Sequence, residues 1–135
     1  MRLEMYNLRW PALWLAIAWS FVSIIVYLSL APTIEMPLTA EGSDKYAHVA
    51  AYAMLMFWFM QIYGSVRSRV ATAAGLASLG IGLEVLQSYT GYRTFEYADM
   101  AANVAGVVLG WLIAPPRTPN VVFRIEALRS NRSSR

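Results

Sequence analysis

Asp44, Lys45, His48, Glu84, Gln87, Arg93, Glu96, Asp99 and Asn103 interrupt an otherwise apolar chain, each near the end of a hydrophobic segment. Ionisable groups beside hydrocarbon are costly unless they are paired or line a wet cavity, so each one marks a candidate site. Two kinds of chemistry suit these residue types. His48 with Glu84 or Asp99 has the makings of a general acid and base. Lys45 and Arg93 are suited to receiving a phosphate or carboxylate through charge-assisted hydrogen bonds. The chain has one histidine and no cysteine, which removes thiol chemistry and argues against a zinc site; no metal or other cofactor is expected. The sequence contains no nucleophile elbow, phosphate-binding loop or multi-histidine signature.

Helical spacing groups these residues. Asp44, His48 and Tyr52 recur every fourth position and share one face. Glu84 and Gln87 stand one turn apart, and Asp99 and Asn103 share the face that continues into Gly106 and Gly110. If the polar faces converge, one pocket holds His48, Glu84, Gln87, Asp99 and Asn103, with Lys45 and Arg93 at its rim. Glu84 lies among Gly80, Ile81, Gly82, Leu83, Val85 and Leu86, where a carboxylate needs a proton or a partner, and Arg93 is the natural bidentate one. Each residue has a plainer alternative: a packed histidine, a helix-capping Asp44, a snorkelling Lys45, or a Glu84–Arg93 clasp that serves stability alone.

The elements that position these groups follow from composition. The chain has 135 residues, of which 58% are hydrophobic and 14% charged, with a mean hydropathy of +0.44. That balance favours lipid over water as the surrounding solvent. Four stretches approach the roughly 17 to 25 apolar residues needed to span a bilayer, 11–31, 46–63, 70–87 and 98–114. The expected fold is therefore all-α, a small polytopic membrane protein with four transmembrane helices in an antiparallel bundle over residues 1–114. Residues 115–135 form a basic cytoplasmic tail, weakly amphipathic and then disordered. The first stretch exceeds a signal-peptide core and is expected to be retained. Trp10 and Trp14 are placed to anchor it at headgroup depth. Small residues at Ala74, Ser78 and Gly82, and at Gly106 and Gly110, suggest close helix packing. Ser43 and Thr94 are candidate caps for the second and fourth helices.

All the basic residues except Lys45 and Arg93 fall in the N-terminus, the second connection and the tail. By the positive-inside rule both termini are cytoplasmic, and the polar pocket faces outward.

The ordered set Asp44-Lys45-x-x-His48-x-x-x-Tyr52-x-x-Leu55, Glu84-x-x-Gln87, Arg93, and Asp99-x-x-x-Asn103-x-x-Gly106-x-x-x-Gly110 resembles the pattern of the VanZ-like membrane proteins. The resemblance covers residues 44 to 110. It implies a small multi-pass protein of the bacterial cytoplasmic membrane, in a family whose namesake is associated with low-level resistance to the lipoglycopeptide teicoplanin. On this reading Asp44, Lys45, His48, Tyr52, Glu84, Gln87, Arg93, Asp99 and Asn103 bind or help modify an outer-leaflet amphiphile, such as a lipid-linked envelope precursor or a lipoglycopeptide. The alternative is a membrane-embedded enzyme that uses His48, Glu84 and Asp99. Ion or proton movement is disfavoured by the lack of comparable charge in the inner half of the bundle. The expected partners are membrane lipids or such a ligand, and no nucleic acid.

Overall fold

The computed structural model describes residues 3–32, 43–91 and 95–132, and only the backbone of Ser43 and of 130–132. Among these lie five helices: α1 Pro11–Leu30, α2 Ser43–Ile62, α3 Val66–Ser88, α4 Tyr97–Ile113 and α5 Val121–Arg132. The β-structure among the described residues is a single bridge between Met5 and Tyr63. The all-α expectation holds, and the first four helices coincide with the four apolar stretches to within about a turn.

Local chemistry sets the helix ends. Pro11 opens α1, where its missing N–H costs nothing, and Ala31 leaves the helix in an extended conformation ahead of Pro32. The Ser65 side chain caps α3 by accepting from the Ser68 N–H at 3.2 Å. Ala114 ends α4 before Pro115.

α2 is the central helix and packs against α1, α3, α4 and α5. Tyr52, Leu55, Met56, Phe59, Met60 and Ile62 are buried around it, as expected of a helix apolar on most sides. α4 lies closest to it because Gly106 and Gly110 present no side chain: a Cβ at 106 would stand 2.5 Å from the Val49 carbonyl, and one at 110 would run into that of Ala53.

Two sequence expectations are corrected. The Ala74, Ser78 and Gly82 stripe is exposed, and a Cβ on Gly82 would meet nothing within 4 Å. α3 turns its other side inward, burying Leu76, Gly80, Leu83, Glu84 and Gln87, because the carboxylate and carboxamide find their partners there. Trp14 is also not an interfacial anchor. It is buried, and its indole N–H donates to Glu126 Oε1 at 2.8 Å. Trp10 is half-buried, with the Arg9 and Arg129 guanidinium groups 5.3 and 5.5 Å from its ring centre.

The tail forms a docked helix as far as the description reaches; 133–135, where disorder was expected, lie outside it. Val122 is fully buried. The Val121 N–H donates to Gln61 Oε1 at 2.8 Å, and the Asn120 carboxamide donates to the Gln61 carbonyl at 2.9 Å. Glu126 caps α1 from across the molecule, accepting from the Arg9 and Trp10 N–H groups at 2.8 and 3.0 Å. Its negative charge lies at the positive end of that helix. Burial raises the Glu126 carboxyl pKa, but these donors outweigh it and hold the group below its ordinary range. The contribution to stability is therefore complete above the ordinary glutamate value and fades as pH falls through the lower folded one. Glu126→Gln is expected to lower stability by about 1 to 2 kcal/mol at neutral pH, the usual size of a lost helix cap, and to flatten this acid-side decline. Melting curves of both proteins from pH 7 down to acid check it, and parallel profiles would show that the carboxylate is not the cap.

Among the described residues two helices are long and apolar enough to cross a membrane, α1 and α3; α4 is apolar but has 17 residues. Ile24, Tyr27 and Leu28 of α1, Ile81, Val85 and Leu86 of α3, and Val108, Leu109 and Leu112 of α4 are exposed. Apolar surface of that extent calls for lipid or a partner.

Candidate functional site

The start of α2, the end of α3 and the start of α4 meet at one end of the bundle, and most of the predicted polar residues meet there too. Lys45 projects from the first turn of α2. Its ammonium is 2.8 Å from Glu96 Oε2, 3.4 Å from Asp99 Oδ1 and 3.5 Å from Asp44 Oδ2. Lys45 is thus committed to neighbouring carboxylates rather than standing free at a rim. Glu96 is among the polar residues that mark the site in the sequence but is given no binding role there; the signal for one is its position just ahead of α4, on the same side as Lys45.

One turn along α2, His48 is half-buried. Its Nδ1 lies 3.0 Å from Asn103 Oδ1, and its Nε2 lies 3.8 Å from Asp99 Oδ2. Asn103 and Asp99 are buried, one turn apart on α4. The Asn103 amide N–H is oriented toward the Gly80 carbonyl at 3.4 Å, an approach that depends on Gly80 lacking a Cβ, which would stand 2.9 Å from Asn103 Cβ. Tyr52, one further turn along α2, is buried, and its hydroxyl has no hydrogen-bond partner among the described residues. It belongs to the wall of the cluster, as its spacing predicted.

Glu84 is 1% exposed. Its Oε1 accepts from the Glu96 N–H at 3.0 Å, tying α3 to the start of α4, while its Oε2 has no hydrogen-bond partner among the described residues. Arg93, the partner the sequence suggested, lies outside the described residues, as does the Thr94 cap; the side chain of Ser43 also lies outside them. Gln87 is buried but turned toward α1, donating to the Ser29 carbonyl at 2.8 Å. It braces the bundle and does not join the His48 cluster.

The cluster has an approach. A cleft of about 220 Å³ between α1 and α2 is lined by Ile25, Leu28, Ser29, Asp44, Ala47 and His48. Its walls are mostly apolar, from Ile25 and Leu28 on α1 and Ala47 and Ala51 on α2, and Ser29, Asp44 and His48 are its polar groups. A larger cleft, about 350 Å³ and bordered by Trp19, Val22, Phe59 and Leu76, is almost wholly apolar and lies away from these groups.

The combination of Lys45, His48, Glu84, Asp99 and Asn103 at one end of three helices, with glycines packing α4 onto α2, is the arrangement in which the family pattern was read. Over residues 3–123 the sequence matches the VanZ/LLP1 family. The chain belongs to the VanZ/LLP1 family. The match reaches well beyond the residues that carried the resemblance, taking in the N-terminal arm and α1. The structure gives α1 a reason to be part of the VanZ/LLP1 unit: it supplies the Ser29 carbonyl to Gln87 and one wall of the cleft. An uncharacterized protein of Schizosaccharomyces pombe is 30% identical over 124 residues, covering 87% of this chain and 70% of the yeast protein. Sequences of this kind therefore occur in a eukaryote. No solved structure matches this chain.

Sequence reasoning passed over a second polar assembly at the opposite end. Arg69 is buried and donates to the Tyr63 carbonyl at 3.1 Å, to the Pro115 carbonyl at 2.6 Å and to the Tyr6 hydroxyl at 2.8 Å. With Gln61 and Glu126 it joins the N-terminal arm, the α2–α3 turn and the tail. Arg69 reads from the sequence as an orientation charge, and only its placement shows a structural clasp.

Proposed function

We propose that this VanZ/LLP1 protein is a multi-pass membrane protein whose helices α1 to α4 cross the bilayer as an antiparallel bundle. Both termini lie on the basic, cytoplasmic side, and the cluster at the other end binds or modifies an amphiphile of the outer leaflet. The observation that carries this reading is the cleft beside His48. A headgroup seated against Asp44 and His48 leaves its chain along Ile25 and Leu28, so one site offers both halves of an amphiphile a suitable surface. The apolar outer faces of α1, α3 and α4 support the membrane placement. Lipid-linked envelope precursors and lipoglycopeptides in a bacterial cytoplasmic membrane are the ligand classes of first interest, with low-level glycopeptide resistance as the corresponding phenotype.

A second reading, an enzyme acting on the same class of molecule, has one observation in its favour. Asn103 fixes the His48 ring, and the 3.8 Å between Nε2 and Asp99 Oδ2 closes to hydrogen-bond reach with a small movement on substrate binding.

Mass spectrometry of lipids and envelope intermediates retained by purified wild-type protein and by Glu84→Gln tests both readings. One amphiphile class enriched with the wild type and depleted at least about tenfold in the variant is expected for binding. A chemically altered form of it points to the enzyme. Identical lipid profiles defeat both. The cysteine-free chain also permits a topology test: single cysteines at exposed Tyr89 and Arg67 should react with an impermeant thiol reagent in intact cells at 89 only.

A further inference from the structure

We propose that His48, Glu84 and Asp99 form a binding site for one first-row divalent cation of the zinc or manganese type. α2, α3 and α4 each contribute one residue, and one ligand atom from each lies within 4.8 Å of the others. Atoms bound at about 2.0 to 2.2 Å to a common ion stand about 3 to 4 Å apart, so the three groups need only a small contraction to share one.

The hydrogen bonds around the site prepare it for a cation. The Asn103 carboxamide points its N–H toward the Gly80 carbonyl and therefore presents Oδ1 to His48 Nδ1. An oxygen acceptor there places the ring proton on Nδ1 and leaves the electron pair on Nε2, the nitrogen that faces Asp99 Oδ2 at 3.8 Å. In that tautomer two electron-pair donors, Nε2 and Asp99 Oδ2, face each other. The nearby Glu84 Oε2 is buried and has no hydrogen-bond partner among the described residues. Donor atoms left in this state, with the ring nitrogen oriented by a hydrogen bond to its other nitrogen, are the arrangement of a metal ligand and its outer support.

A neighbouring acidic triad gives the contrast. Asp44, Glu96 and Asp99 also lie within ligating distance of one another, but the Lys45 ammonium already occupies their midst. That triad, which shares Asp99, already has a cation among its carboxylates, whereas no cationic side chain among the described residues stands between His48, Glu84 and Asp99. The single histidine that argued against zinc in the sequence counts for less once two buried carboxylates complete the set. One imidazole nitrogen and two carboxylates suit zinc or manganese better than calcium, which prefers oxygen alone, or copper(I), which prefers sulfur. Three protein ligands leave a coordination position for water or a ligand oxygen. A cation there also removes a difficulty: a mainly acidic cluster becomes able to receive a phosphate or carboxylate headgroup. That last step rests on the amphiphile reading; the ion site does not.

The test uses the full chain carrying an affinity tag free of histidine, stripped with chelator and then equilibrated with zinc or manganese alone. Metal content is read by mass spectrometry and unfolding by a thermal melt. The wild type should retain about one ion per chain and melt higher with it. Glu84→Gln and His48→Gln should each lose stoichiometric binding while still melting cooperatively. Asn103→Leu, which removes the support to the ring together with the bond to the Gly80 carbonyl and leaves the three ligands in place, should weaken binding about 10 to 100-fold. Lys45→Gln should keep the ion, since it removes a charge from beside Asp99 and leaves all three ligands in place. A cooperatively folded wild type that retains neither metal overturns the site, as does binding that survives in both ligand variants. Should a ligand variant fail to fold, the Asn103→Leu and Lys45→Gln pair decides: equal affinity in the two overturns the site. Lipid retention is scored on the same samples. Lipid without metal rejects the ion alone, and metal without lipid rejects the amphiphile reading alone.

Discussion

Gly106→Leu should largely abolish the folded state, the largest effect expected of any single substitution in the bundle. The Cβ alone would stand 2.5 Å from the Val49 carbonyl and 2.9 Å from Tyr52 Cβ. Helix backbone cannot rotate away as a side chain can, so α2 and α4 must separate along their length. Overpacking of a core commonly costs about 1 to 3 kcal/mol and more where backbone must move; against a typical total of about 5 to 15 kcal/mol, this site belongs at the upper end. Parting the helices also draws Asn103 and Asp99 away from His48, so retention of the lipid ligand should fail along with stability. Gly82→Ala is the control: nothing lies within 4 Å of its added Cβ, and the higher helix propensity of alanine favours it by up to about 1 kcal/mol. Thermal melting and size-exclusion profiles in detergent compare the two. Equal tolerance of Gly106→Leu and Gly82→Ala would mean that the close approach of α4 to α2 is absent in the protein.

Glu84→Gln should uncouple stability from function. The amide keeps an oxygen for the Glu96 N–H, now 3.0 Å from Oε1, and removes the charge on a buried oxygen that has no partner among the described residues. An unsatisfied buried polar atom costs about 1 to 3 kcal/mol, more when charged. In metal-free protein the variant puts a neutral amide N–H2 where the charged oxygen was, so it is expected to be at least as stable as the wild type, while losing the proposed amphiphile. A group kept at a cost to stability is one retained for what it binds. The opposite result, a clear loss of stability with lipid retention intact, would assign Glu84 to the structural clasp that the sequence also allowed.

The sequence by itself determined the helices, because each apolar stretch is long and is bounded by its own stop signals: Pro11 and Pro32 around α1, Ser65 ahead of α3, Pro115 after α4. It also determined which residues would gather. His48, Asp99 and Asn103 lie at helical spacings on faces that have no other place for polar groups, and in an apolar bundle such faces turn inward toward one another. The glycines at 106 and 110 fall on the same face as Asn103, so the closest helix contact was legible as well. Three-dimensional packing alone decided which partner each polar atom took. Gln87 shares a face with Glu84, yet it bonds Ser29 because α1 lies on that side. Lys45 is bound by Glu96 from a distant helix start, and spacing along one helix carries no information about that meeting. The small-residue stripe of α3 matched a packing motif but lies on the outside, since the need to satisfy Glu84 and Gln87 fixed the rotation of the helix. Trp14 reads from the sequence as an anchor and Arg69 as an orientation charge, Gln61 and Glu126 carry no signal there, and all four take partners far along the chain. Periodicity reports which residues share a face; only the fold determines what that face meets.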